Sequence, residues 1–402
     1  RDMRAAMGVR RLATSALSTS TSTSASSVSS FSLRPNLTKS QPRQQSTYAA
    51  TTSGRSTRVG TRDGSALRDR NGIAVSALEN PALRTYYADW AEVQLPDKHR
   101  FPMEKYKATR LALQGDLSLA GKMEFLPSPK AALADVLAVH EAGYVARVMD
   151  CALSDSEARA IGFPMHPSSV VRSLASTGGT VAATHDVMGQ GTAHKAAAQI
   201  AGGTHHAFAG WGEGFCVFND IAVAAVNALA HFPDQLAASP TPILVIDLDV
   251  HQGNGTAKIF EGDDRVVTFS VHGAGNYPWK TKMVSDHDVD LPDDTGDEEY
   301  NAIIAEWLPF LFDRYDPRLV YFQAGVDALK EDSFGRLGMT RGGLLTRNHM
   351  VFNQCISRDV PLVITMGGGY SRPSDASINA HADVFRSAAY RFASPSPTMK
   401  RG

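Results

Sequence analysis

At 402 residues with 43% apolar content, the chain can bury a full core and still leave a segment outside it. A formal net charge of −1 gives no general attraction for nucleic acid or membranes, so no direct nucleic-acid binding is predicted and any site must be argued locally. No apolar run approaches the length of a bilayer span, and Cys151, Cys216 and Cys355 are odd in number and far apart, which fits a reducing compartment and excludes a CxxC zinc site.

Residues 1–75 differ in composition from the rest. They are dense in Ser and Thr, punctuated by Arg, and carry no acidic residue between Asp2 and Asp63. Such a segment cannot bury enough apolar area to fold alone, so it reads as a disordered leader. The composition favours an organelle transit peptide, plastid over mitochondrion, with cytosol or nucleus following if it is a plain tail. Ordered sequence begins near "NPALRTYYADWAEVQLP", one domain is expected over 88–392, and 393–402 reads as a flexible tail.

Within that domain, "FNDIAVAAVNALAHF" has a helical pattern and precedes the first of four segments that read as buried strands. These strands are "PILVIDLDVH", "RVVTFSVH", "RLVYFQAGVD" and "VPLVITMGGGY". The helical patterns "EEYNAIIAEWLPFLFDRY" and "RGGLLTRNHMVFNQCIS" lie between later strands. Strands alternating with helices predict an α/β fold with a mainly parallel sheet flanked by helices on both faces. Ligands bind beyond the carboxyl ends of such strands. There the sequence offers Asp249 and His251, Ser270 and His272, Asp327, and Gly367 to Tyr370.

In an extended strand Asp247, Asp249 and His251 would share one face. Two carboxylates and an imidazole suit a divalent metal, with Asp249 and His251 supplying two ligands, Asp327 a third, and Asp247 supporting from one step deeper. A D-x-D phosphatase motif is the competing reading of this run. It leaves the adjacent histidines of "GGTHHAF" (His205, His206) and the "MGGGY" run without a role. Metal-assisted hydrolysis needs a base, an acid and a donor to the oxyanion; the two histidines suit the first two and Tyr370 the third.

Together, "GGTHHAF", "GEGFCVFNDIAVAA", "VIDLDVHQGNGTAKIF", "TFSVHGAGNYP", "FQAGVDAL" and "MGGGY" resemble the zinc-dependent histone deacetylase family, in its bacterial-type, class IV-like branch. The upstream "HRFPMEKY", "VLAVHEAGYVARV" and "IGFPMHPSSVVRSLASTGGT" match in order, so the resemblance spans Leu95 to Phe392. It implies an arginase/deacetylase fold and hydrolysis of an acylated amine. It assigns one catalytic zinc ion to Asp249, His251 and Asp327, general base and acid to His206, and an electrostatic partner to His205, which Asp247 would hold. Tyr370 would donate to the oxyanion.

The resemblance also implies a channel for an acyl-lysine stem, lined by Gly214, Phe215, Tyr277, Phe334 and Gly368. A structural potassium ion would lie on Asp247, Ser270 and the backbone oxygens of Asp249, His251 and Val271. Asn254 stands where some members have Asp; an amide cannot stabilise an imidazolium as a carboxylate does, so His206 is expected to stay neutral more readily. Phe334 stands where this branch usually shows Leu, which bears on acyl-chain preference.

The leading expectation is a deacylase of acyl-lysine in proteins. A small N-acetylated amine such as an acetylpolyamine is the alternative substrate, and an organelle destination makes histones doubtful because nucleosomes are absent there. A non-catalytic acyl-group reader is the third reading, disfavoured by the intact ligand, His and Tyr set.

Overall fold

The computed structural model describes residues 83–97, 99–189 and 194–393; the expected leader and the chain beyond 393 lie outside the described residues. Eight strands form one sheet: β1 (Leu83–Tyr87), β2 (Met123–Pro127), β3 (Ala196–Ile200), β4 (Ile243–Asp247), β5 (Val266–Gly273), β6 (His287–Leu291), β7 (Leu319–Gln323) and β8 (Leu362–Thr365). Their order is β2-β1-β3-β8-β7-β4-β5-β6, and every pairing is parallel.

Side-chain alternation distributes the strands between two apolar layers. Ile243, Val245, Leu319, Tyr321 and Val363 pack with Val187, Ile221 and Ala225 from the helices Pro167–Met188 and Asp220–His231. The residues between them, Leu244, Ile246, Val320, Phe322, Leu362 and Ile364, pack on the opposite face. There they meet Ile304, Val351 and Phe385 from the helices Asp297–Tyr315, Arg341–Arg358 and Asp375–Ala393. Burial on both faces is why these strands read as continuous apolar runs. The three helices expected from sequence are present, two of them started by Asn219 and Thr340 side chains that accept from the backbone N–H groups of Ala222 and Gly343.

The four expected strands are present; β4, β7 and β8 stop earlier than expected, while β5 runs on to Gly273. β4 ends at Asp247, so Asp249 and His251 do not lie on a strand face. Beyond Asp247 the carboxylates capture the backbone: Asp249 N–H donates to Asp247 Oδ1 at 3.2 Å, and His251 N–H to Asp249 Oδ1 at 3.1 Å. These local bonds replace the sheet ladder and turn the chain across the sheet's carboxyl edge.

Sequence patterning missed β1, β2, β3 and β6. β3 is "AAAQI", three alanines with Ile200 as its one β-branched residue, and β2 and β6 are half-exposed edge strands. β1 also lies ahead of the domain start expected at residue 88.

Arg347, on the helix Arg341–Arg358, fastens the loops that follow β4 and β7. It is fully buried, and its Nη1 donates to Leu248 O at 3.0 Å and Gly325 O at 2.8 Å. Replacing a charged donor of two buried carbonyls should cost about 3 kcal/mol. Arg347→Met is therefore expected to lower the free energy of unfolding by that amount in urea titration with an unchanged slope. A loss under 1 kcal/mol would show that the loops hold themselves.

Candidate active site

Asp249, His251 and Asp327 meet at the carboxyl edge of the sheet, all buried, with ligand-capable atoms within 4.8 Å of one another. His251 Nδ1 faces both carboxylates, 3.0 Å from Asp249 Oδ1 and 3.1 Å from Asp327 Oδ2. Backbone donors steady the remaining oxygens: Val250 N–H on Asp327 Oδ1 at 2.9 Å and Gly368 N–H on Asp249 Oδ2 at 2.8 Å. Gly368 is required here, since a Cβ would stand 1.9 Å from Asp327 Oδ2.

The charges in this cluster are unbalanced. Burial first, then the Asp249 charge, pushes the Asp327 carboxyl up to about 7. Burial opposes the His251 cation, yet hydrogen bonds to Asp249 and Asp327 prevail and raise it to about 10. Two buried carboxylates that draw a proton onto a shared imidazole form a site built for a cation. The hard-oxygen and imidazole donor set, with glycine cradling its edge, fits a divalent ion of the zinc type.

The adjacent histidines are driven in opposite directions. His205 Nδ1 is 2.6 Å from Asp247 Oδ2; burial lowers its basicity, but the Asp247 and Asp249 charges prevail and raise it to about 9. His206 lies well below the ordinary imidazole range, through burial first and then repulsion from His205 and His251. Adjacent groups with separated basicities are the signature of an acid–base site.

His206 Nδ1 lies 2.7 Å from Asn254 Oδ1. The amide's orientation is fixed from its other end, where Nδ2 donates to Glu213 Oε1 at 2.6 Å and Thr281 O at 2.9 Å. The Asn254 oxygen therefore accepts from Nδ1–H, which leaves Nε2 of His206 as the free lone pair. Neutrality follows chiefly from burial and its charged neighbours; the Asn254 bond itself acts weakly the other way.

Tyr370 follows the Gly367–Gly369 run. Its backbone N–H donates to Asp332 Oδ2 at 2.6 Å, and its hydroxyl is held well above the ordinary phenol range by burial and by the Asp249 and Asp327 charges. It is thus a donor at neutral pH. Beneath its ring, 4.7 Å from the centroid, lies the fully buried ammonium of Lys105, which donates to Gly367 O and Gly369 O, each at 3.2 Å.

The channel residues also converge. Gly214, Phe215, Tyr277, Phe334 and Tyr370 line one mouth together with His206 and His251. Phe215 is held at φ 66°, an uncommon backbone for an aromatic residue, by N–H bonds from Gly214 to Ala160 O and from Phe215 to Ile161 O. Tyr277 meets the His206 ring edge-on at 5.1 Å, and Phe334 packs on Tyr370 at 4.8 Å. Asp247 and Ser270 are paired in register on neighbouring strands, with Val271 the next residue and all three buried; the Ser270 hydroxyl is 3.0 Å from His272 Nδ1.

Five buried or nearly buried polar residues that support the site escaped sequence reasoning. Glu213 anchors Asn254, Asp332 holds the Tyr370 backbone, and Lys105 supports the glycine run. Gln323 bonds Gly203 O at 2.9 Å, and Arg347 ties the metal-side loops. Only the register of Gln323, opposite Asp247, was available from strand alignment.

With this geometry in place, the chain's kinship is plain. The histone deacetylase domain matches residues 99–384, and the chain belongs to that family, whose members are amide hydrolases that generally depend on zinc. An uncharacterized protein of the cyanobacterium Picosynechococcus sp. is 36% identical over 304 residues, covering 75% of this chain and 97% of that protein. Histone deacetylase 2 of Arabidopsis thaliana is 33% identical over 180 residues, covering 44% of this chain and 45% of that protein. Human histone deacetylase 1 is 31% identical over 210 residues, covering 49% and 40%. The chain thus spans about half or less of these two named deacetylases.

Among solved structures, a histone deacetylase homologue complexed with SAHA superposes with a TM-score of 0.63 at 20% identity, over 78% of this chain and 85% of that one. The HDA15 deacetylase domain gives 0.63 at 22% identity, over 79% and 90%. These likenesses establish the arginase/deacetylase-type fold. The chain is therefore a hydrolase of the histone deacetylase family with an all-parallel α/β architecture.

Asn254→Asp would set a carboxylate against His206 Nδ1 and favour the imidazolium. The His206 titration, followed by its ring NMR signals in metal-loaded protein, should rise by at least about one pH unit. An unchanged titration would show that Asn254 does not govern the charge of His206.

Proposed function

We propose that this chain hydrolyses the amide of an acylated amine, N-acyl-lysine within polypeptides, through a divalent metal ion, His206 and Tyr370. The observation that carries this reading is the gathering of three kinds of group around one mouth: the Asp249–His251–Asp327 cluster, a neutral imidazole with a free Nε2, and a protonated phenol.

Asp249, His251 and Asp327 would hold the ion. When bound, zinc supplies Lewis acidity to the attacking water and the acyl carbonyl. His206, its Nδ1–H engaged by Asn254, takes a proton from that water at Nε2 as the water oxygen bonds to the acyl carbon. The Tyr370 hydroxyl donates to the oxyanion that develops on the carbonyl oxygen. Cleavage of the C–N bond then returns the proton from His206 to the departing amine. The His205 imidazolium, paired with Asp247, keeps positive charge near the developing anion and holds the basicity of His206 down. Phe215 and Tyr277 offer aromatic walls to the aliphatic stem of the substrate.

We further propose the monovalent ion at Asp247, Ser270 and the neighbouring backbone oxygens, and organelle import directed by the hydroxyl-rich residues 1–75. The in-register pairing of Asp247 with Ser270 supports the first, and the lack of any acidic residue between Asp2 and Asp63 supports the second. A fluorescent fusion of residues 1–80 should enter plastids; a diffuse cytosolic signal would refute import.

Elemental analysis and turnover of an acetyl-lysine peptide separate the roles. Asp249→Ala and Asp327→Ala should lose both zinc and activity. Tyr370→Phe should keep stoichiometric zinc while turnover falls by about 10²–10³-fold, the usual effect of removing one oxyanion donor. Full activity in either Asp249→Ala or Tyr370→Phe would overturn the mechanism. Exclusive cleavage of acetylpolyamines would replace the polypeptide substrate with a small amine.

A further inference from the structure

The mouth of the channel is about 510 Å³ and has a one-sided charge. Its rim carries Arg100, Arg159 and Arg336, all exposed, and no carboxylate lines it. These cations come from three different chain segments of the rim. Arg159 belongs to the helix Asp155–Ile161, next to Ala160 and Ile161, whose carbonyls hold Gly214 and Phe215. Arg100 follows His99, whose Nε2 lies 3.0 Å from Gly162 O just past that helix, and its guanidinium lies 4.8 Å over the Phe334 ring, which in turn packs on Tyr370. Arg336 pairs with Asp293 at 3.1 Å, both well exposed, so its charge is only partly offset. Among the described residues, neither Arg100 nor Arg159 has a carboxylate partner within ion-pair distance.

The acids nearest the site are turned to other work. Glu213 is buried behind Asn254, and Asp332 receives the backbone of Tyr370. Glu104 lines the adjoining groove together with Arg100 and Arg372, and forms no ion pair with either. Trp279, 74% exposed, adds an apolar shelf to the rim beside Tyr277.

We propose, resting on the deacylase reading above, that this rim selects acyl-lysine flanked on both sides by acidic residues of a polypeptide. An anion on one side of the lysine can reach Arg159, and one on the other side Arg100 or Arg336. A small acylated amine bearing one carboxylate would engage a single arginine, and a polycation such as an acetylated polyamine would be repelled by all three. The flat, exposed indole of Trp279 suits a peptide backbone lying across the mouth. The stacked Arg100 has its apolar face engaged by Phe334 while its N–H edges remain available to carboxylates.

The test uses the zinc-loaded full chain and acetyl-lysine peptides with Glu, Ala or Lys on both sides of the lysine. An acetylated polyamine and an N-acetylated amino acid serve as small cationic and anionic comparators. Turnover and fluorescence-anisotropy binding are measured in parallel. The Glu-flanked peptide should exceed the Lys-flanked one by about tenfold in kcat/KM, through KM rather than kcat, and half-molar salt should compress the ratio towards one.

The double variant Arg100→Glu, Arg159→Glu should invert the KM order of the Glu- and Lys-flanked peptides. Equal KM values across the three peptides, or preference for Lys flanks or the polyamine, would overturn the proposal. Superiority of the N-acetylated amino acid would overturn the polypeptide occupant. If nothing is hydrolysed, the deacylase reading fails, and the anisotropy order still decides for or against the acidic preference.

Discussion

The structure is organised around one electrostatic constraint: two carboxylates, Asp249 and Asp327, are held together in a water-poor interior. At their separation, with an effective dielectric of about 20, two full negative charges repel by roughly 3 to 4 kcal/mol. The fold meets this cost with fixed donors. Val250 and Gly368 direct backbone N–H groups at the pair, and Arg347 brings a buried cation to the carbonyls just behind them. Lys105 places a second buried cation under Tyr370, where the Asp327 and Asp249 charges help keep it protonated against burial. Even so, a proton is drawn to His251, the behaviour of a site that seeks a further positive charge.

The acid–base machinery follows from the same field. His205 shares the negative environment through Asp247 and takes up positive charge, which in turn suppresses protonation of His206. Asn254 contributes orientation more than charge. Because Glu213 and the Thr281 carbonyl occupy its N–H2 end, only its oxygen can face His206, and one imidazole tautomer is selected. The buried Tyr370 hydroxyl remains a proton donor across the neutral range.

Much of the site was legible before the fold was known, because its parts are local. Asp249 and His251 fall within one short run, His205 and His206 are adjacent, and Tyr370 is announced by three glycines. Asp327 was readable as the polar end of an apolar segment. The supporting residues were not, because their partners are remote in sequence: Glu213 acts on a residue 41 positions away, Lys105 on one 262 away. Their types, a Glu in a glycine loop and a Lys in an amphipathic helix, are those of ordinary surface positions until the fold buries them.

The central strands were legible because both faces are buried, and β3 and the outer strands were missed because alanine content or exposure removes that signal. The expectation that Asp247, Asp249 and His251 share a strand face was corrected by the carboxylates themselves, whose bonds to backbone N–H groups end the strand. That local chemistry, rather than strand alternation, directs Asp247 to His205 and Asp249 to the cluster.

The most direct test of the account is anomalous scattering from crystals of the purified chain, recorded on both sides of the zinc absorption edge. One peak between Asp249, His251 and Asp327, with the imidazole bound through Nδ1, is the predicted result. A cluster that stays metal-free at saturating zinc, or an ion bound elsewhere in active protein, would contradict it.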